Sequence, residues 1–222
     1  MTIASFIDLP SVAVVLGGTM VATFLRSGWK DCALAVRALA TIGAKRFDAD
    51  QAKAEVATQV RAIQKDGLLR AHPHRLADRE MGEVADTLIG TRSVEALLAR
   101  HEAQKAERVD ADERAVRTWA QASELAPVFG LAGTLISLTE LPSDGIAREA
   151  YMSAISMAVL CTLYGLLLAN IVFGPIARWI DRVASQEERE RQKIVDWLAS
   201  QVGSTLAAPR GKHVVVPEAV PA

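Results

Sequence analysis

"AYMSAISMAVLCTLYGLLLANIVFGPIA", Ala150 to Ala177, contains no Asp, Glu, Lys, Arg or His. A helix needs roughly 20 apolar residues, at about 1.5 Å each, to cross a hydrocarbon core of about 30 Å. This window exceeds that length, so it is predicted to span a membrane. Two further windows lack the same five residue types, Leu9 to Leu25 and Leu125 to Thr139. The first nearly reaches spanning length, with Ile3 to Ile7 available beyond Asp8. The second is short alone but closes a long helical pattern, so Glu124 and Glu140 are expected at the headgroups. The fold class that follows is all-α: a polytopic membrane protein with three transmembrane helices and a helical cytoplasmic domain.

Average composition hides this. The 222 residues are 50% hydrophobic and 23% charged with a net charge of −1, values that would suit a soluble domain. The charge comes in blocks. Of the 25 Lys and Arg, 17 lie from Arg26 to Glu124, one (Arg148) in the turn from Glu140 to Glu149, and 7 after Ala177. Basic segments stay on the cytoplasmic side, which puts the N-terminus and the short turn outside. The expected organisation is a first transmembrane helix at 1–25 and a helical cytoplasmic domain at 26–123. A two-helix transmembrane channel hairpin follows at 124–177, then a cytoplasmic amphipathic helix and flexible tail at 178–222. No Lys or Arg precedes the first apolar run, so a secretory signal is not expected.

Several chemistries find no support. Cys32 is predicted cytosolic and Cys161 mid-membrane, so no disulfide framework is expected. His72 and His74 flank Pro73 without a Cys or His partner nearby, so no metal site is predicted. Acidic residues interleave with the basic ones, which argues against nucleic-acid binding. No nucleophile–base pair stands out, and an enzyme is not expected.

Helical periodicity runs through the cytoplasmic block. Val56, Val60 and Ile63 recur at i, i+4, i+7, as do Ala77, Met81, Val84 and Leu88 a segment later. Gly67 and the "AHPHR" run punctuate these helices. Ser93 is placed to cap a last helix that meets no proline before Pro127.

The membrane segments carry stripes of small and hydroxyl residues. Pro127, Gly130, Thr134 and Ser137 are spaced i, i+3, i+7, i+10, and Ala158, Thr162, Gly165 and Ala169 are spaced i, i+4, i+7, i+11. Cys161 sits beside Thr162, and the first segment has Gly17 and Gly18. One reading is close helix packing alone, which small residues permit where water is absent. The other is an ion path. Pro127 and Pro175 each remove a backbone donor and free a carbonyl, which with threonine hydroxyls could solvate a cation. A proton relay normally needs an intramembrane carboxylate, and these windows have none. If the chain conducts protons, a partner must supply that group.

These residues resemble the MotA/PomA flagellar stator family, within the MotA/TolQ/ExbB proton channel superfamily. The likeness is carried by "FIDLPSVAVVLGGT" (Phe6 to Thr19), "APVFGLAGTLISL" (Ala126 to Leu138) and "CTLYGLLLANIVFGPIA" (Cys161 to Ala177). It implies a homo-oligomeric ring in the bacterial inner membrane around a MotB-like single-span partner. That partner would bear a membrane aspartate and a peptidoglycan-binding domain. No cofactor is implied beyond the transported H+ or Na+. The likeness places Thr134 and Thr162, with Cys161, on the ion pathway, and makes Pro127 and Pro175 channel prolines. Gly17, Gly18, Gly130, Gly165 and Ala169 are expected to pack helices.

The nearest alternative is a TolQ/ExbB-type energiser of an outer-membrane process, and a further one is a non-conducting membrane scaffold. Pro175 lies thirteen positions after Thr162, as in MotA. Two departures stand out. The family usually has another membrane helix before the "FID" motif, here at Phe6. Gln64 and His72 also stand where the family places rotor-contacting Arg and Glu, leaving Lys65, Arg70 and Arg75 as candidates for touching a flagellar rotor.

Overall fold

A computed structural model describes residues 8–41, 47–66, 76–139 and 148–207. Every regular element among them is helical: α1 (Leu9–Val12), α2 (Gly18–Thr41), α3 (Ala49–Asp66), α4 (Arg79–Thr91), α5 (Val94–Thr139), α6 (Arg148–Leu167) and α7 (Gly174–Ala207). Short π-helical segments, Ala13–Gly17 and Leu168–Phe173, link α1 to α2 and α6 to α7. Three stretches are long and apolar enough to cross a membrane: Leu9–Thr41, Val94–Thr139 and Tyr151–Gly203.

Local chemistry explains the breaks. Asp8 caps α1, its Oδ2 accepting from the Ser11 N–H at 3.0 Å and from the Ser11 hydroxyl. Gly28 stands at φ 80°, ψ 169°, and breaks α2 just beyond the first charge-free window. A methyl group there would meet nothing within 4 Å, so the backbone conformation alone asks for glycine. Pro175 cannot donate to the carbonyl four residues back. The π-helical turn before it absorbs the mismatch, with the Gly174 N–H reaching the Ala169 carbonyl instead. Ser93 caps α5 as predicted, its hydroxyl oxygen accepting from the Ala96 N–H at 3.2 Å.

The chain divides into two compact units, Met1–Arg46 with Lys105–Glu188, and Phe47–Gln104 with Arg189–Ala222. This grouping cuts across the linear boundaries expected at 26, 124 and 178, because α5 and α7 each carry residues of both units. In the first unit, α2 on both sides of Gly28 is tied to α5 by polar contacts. Ser27 donates to Gln121 Oε1 at 2.7 Å, Arg114 pairs with Asp31 at 3.0 Å, and Trp119 Nε1 donates to the Ala35 carbonyl at 3.1 Å. Ala38, Ala115 and Ile180 close a small core beside them. Trp29 and Trp179 are exposed next to Lys30 and Arg178, as interfacial aromatics are at membrane boundaries.

The second unit has an aliphatic core: Val56, Val60, Met81, Val84, Leu88, Leu97, Ile194, Val195, Leu198 and Val202. Of the predicted periodic positions, Val56, Val60, Met81, Val84 and Leu88 supply it; Ala77 is exposed because Asp78 caps α4 and the helix begins at Arg79, and the Ile63 side chain lies outside the described residues. Arg191 closes the edge. Its guanidinium forks onto both Asp78 oxygens at 3.1 and 2.8 Å and lies 4.1 Å from the Phe47 ring centre.

Candidate functional site

Where α5 meets α6, the helices approach backbone to backbone. A methyl group at Gly165 would stand 2.8 Å from the Ala126 carbonyl oxygen and 3.0 Å from the Gly130 Cα. One at Gly130 would stand 3.0 Å from the Cys161 carbonyl oxygen, and one at Gly133 would reach Cys161 Sγ at 2.7 Å. All three glycines are buried. Dispersion between close backbones replaces the hydrophobic drive that lipid does not provide.

The first segment packs on the same seam. A methyl group at Gly18 would collide with the Phe129 ring, and one at Gly133 would sit 3.5 Å from Val14. Gly17 differs: it is exposed, with nothing among the described residues within 4 Å of an added methyl. Its predicted packing role therefore has no partner among the described residues. Thr19 and Thr23 are buried, donating back along their helix to Val15 and Thr19 carbonyls at 2.6 and 2.7 Å.

The seam is rotated from the predicted stripes by about one position. On the part of α5 from Ala122 to Thr139 the buried residues are Ala122, Ala126, Gly130, Gly133 and Ser137. On α6 and the π-helical turn they are Ala154, Cys161, Gly165, Ala169 and Phe173. Pro127, Thr134, Ala158 and Thr162 fall on the flanks, half-buried. Gly130, Gly165 and Ala169 lie buried in the seam, the two glycines where the backbones come closest. Cys161 does not join the threonines: it is fully buried, its sulfur held between the helices. Pro175 is half-buried beyond the π-helical turn.

The flanking hydroxyls have their protons engaged. Thr134 Oγ1 donates to the Leu131 carbonyl at 2.6 Å, and Thr162 Oγ1 to the Ala158 carbonyl at 3.3 Å. Each oxygen keeps lone pairs for accepting, so these groups can solvate a cation. The long Thr162 bond is the looser of the two. Asp8 does not add a free carboxylate here. It is spent on the α1 cap, and its N–H donates to the Tyr164 hydroxyl at 3.2 Å.

Sequence spacing missed Ser123, whose hydroxyl donates to the Ala169 carbonyl at 2.9 Å, the same carbonyl the π-helical turn uses. The signal existed: Ser123 lies one turn before Pro127 on the same face, but it falls outside the charge-free window. Of the rotor-contact candidates, Lys65 lies on α3, while Arg70 and Arg75 fall outside the described residues, as do His72 and His74.

Comparison with known proteins places this geometry. Residues 71–193, more than half of the chain, match the MotA/TolQ/ExbB proton channel family. Motility protein A of Cereibacter sphaeroides is 26% identical over 204 residues, covering 88% of this chain and 78% of that protein. Chemotaxis protein PomA of Vibrio alginolyticus is 27% identical over 201 residues with the same coverage of each. The fold superposes on the C. jejuni MotAB structure with a TM-score of 0.81 at 17% identity, covering 90% of this chain and 80% of that one. The flagellar MotAB stator complex of Bacillus subtilis gives 0.80 at 17% identity, covering 91% and 81%.

Proposed function

The chain belongs to the MotA/TolQ/ExbB proton channel family, and from that premise we propose that it is a stator-type ion-channel subunit. It is a multi-pass protein of the inner membrane. It works with a MotB-like single-span partner, whose membrane aspartate carries the ion and whose outer domain holds peptidoglycan. Copies of the chain form a ring around that partner, with the large basic block in the cytoplasm. The relatives named for motility favour this reading over an outer-membrane energiser.

The observation that carries it is the position of the two threonines. A wholly structural pair would sit in the seam with Gly130 and Gly165. Thr134 and Thr162 instead lie half-exposed on its flank, protons turned back and oxygens available, where a partner helix can reach them. The three windows Leu9 to Leu25, Leu125 to Thr139 and Ala150 to Ala177 contain none of the five charged or imidazole residue types, so the carboxylate must come from that partner. One charge crossing the membrane supplies about 2.3 kcal/mol per 100 mV, enough to shift a two-state equilibrium about fifty-fold. Neutralising the partner's aspartate changes its fit against the flank, and the ring steps.

The test is the Thr134→Val, Thr162→Val double variant, co-purified with its partner. We expect normal assembly with ion flux and motility abolished. Flux at the wild-type level would refute the assignment. Replacing sodium by potassium at constant pH then separates a sodium path, which stops, from a proton path, which continues.

A further inference from the structure

Beside the elbow at Gly28 lies an apolar groove of about 400 Å³, whose lining includes neither Thr134 nor Thr162. It is lined by Met20, Phe24, Cys32, Val36, Thr118 and Trp119, among others. Its two threonines do not make it polar. Thr23 and Thr118 both donate back to helix carbonyls, at 2.7 and 2.9 Å. The wall they leave is hydrocarbon and thiol.

The rim is basic. Arg37 and Arg117 adjoin the lining residues Val36 and Thr118, and Lys30 lies two positions before Cys32; all three are exposed, and none has an ion-pair partner among the described residues. The neighbouring acids are largely taken: Asp31 holds Arg114 at 3.0 Å, and Glu124 lies 3.9 Å from Arg26. Glu113, one turn from Arg117, stays exposed and leaves a net positive rim. Trp29, beside Lys30, is 74% exposed, which sets this rim at the depth where lipid headgroups lie. An apolar cleft under a cationic rim at that depth matches one ligand chemistry, an acyl chain beneath a phosphate.

We propose that the Gly28 elbow is a binding site for an anionic phospholipid, its acyl chain in the groove and its phosphate among Lys30, Arg37 and Arg117. Bound there, the lipid would bridge α2 on both sides of Gly28 to α5. It would stiffen a bend already held by the contacts of Ser27, Asp31, Ala35 and Ala38 with α5.

Cys32 makes the test direct, because it lines the groove and the other cysteine, Cys161, is fully buried. The full chain with its partner is placed in nanodiscs of phosphatidylcholine, with or without phosphatidylglycerol, and maleimide labelling of Cys32 is timed. We expect labelling about tenfold slower with phosphatidylglycerol. The Lys30→Gln, Arg37→Gln, Arg117→Gln variant, altered only on exposed side chains, should lose that difference. In Val36→Trp, which fills the groove from its rim, native mass spectrometry should show loss of one retained phosphatidylglycerol per chain. Equal labelling in both lipids overturns the proposal. So does protection that survives the triple substitution, or Cys32 that is unreactive in both lipids because a second copy of the chain covers it.

Discussion

The two compact units solve the same packing problem with opposite residues. The Phe47–Gln104 and Arg189–Ala222 unit buries Leu88, Leu97, Leu198 and five valines, and seals its edge with the Arg191–Asp78 fork. The membrane unit brings α5 to α6 through Ala126, Gly130, Gly133, Gly165 and Ala169. Water rewards removal of large apolar side chains, so the first unit gains by bulk. Lipid gives no such reward, so the second gains by closeness, which only small residues permit. The same substitution should therefore act in opposite directions in the two units.

Gly165→Val should have the largest effect. The branched side chain drives into the Ala126 carbonyl, at a cost of about 3 kcal/mol or more. Folded protein in the membrane fraction should fall to near background. Wild-type levels would break the comparison at its root. Next comes Leu88→Ala, buried to 1% exposure, which should cost about 2–5 kcal/mol in the aliphatic unit. Hydrogen exchange should show the loss in α3 and α4 while α6 stays protected.

Asp78→Ala removes a helix cap and strands a buried guanidinium, though Glu80 at 3.6 Å takes up part of the charge. About 2 kcal/mol is expected. The wild-type pair also sets an acid limit. Burial pushes the Asp78 carboxyl up, but the Arg191 and Met81 hydrogen bonds and the Arg191 charge outweigh it, so it titrates below its ordinary value. Glu83 is lowered by Arg100 and Arg79. These carboxylates stabilise the unit fully above their unfolded values and lose that contribution as pH falls through the lower folded ones. Exchange in α4 should therefore rise at acid pH, and Asp78→Ala should flatten that rise. The smallest effect is a gain. Gly82 lies within α4, and an added methyl would find only Leu76 Cβ at 3.9 Å. Gly82→Ala should stabilise by about 0.5–1 kcal/mol, read as a higher melting midpoint.

Much of this was legible in the residues. Charge-free windows located the spans, helical spacing found Val56, Val60, Met81, Val84 and Leu88, and Ser93 marked the start of α5. Of the small residues the sequence offers for packing, Gly18, Gly130, Gly165 and Ala169 face a neighbouring helix, and Gly17 is exposed. The rotation of the seam was not legible. A stripe read at 3.6 residues per turn fixes a face only to within about one position. Gly133 and Ser123 therefore escaped notice, and Cys161 was grouped with threonines it does not join. The Arg191–Asp78 fork joins residues 113 apart in sequence, a separation no local pattern records.

By itself the sequence determined an all-helical membrane protein whose spans lack a carboxylate, because hydrocarbon excludes charge residue by residue and leaves that exclusion written in composition. Only the tertiary structure decided which face of each helix is interior and which is flank. That choice depends on how closely two particular backbones approach. At Gly130 and Gly165 even an added methyl would come within about 3 Å of the facing helix, and that closeness leaves Thr134 and Thr162 on the flank of the seam.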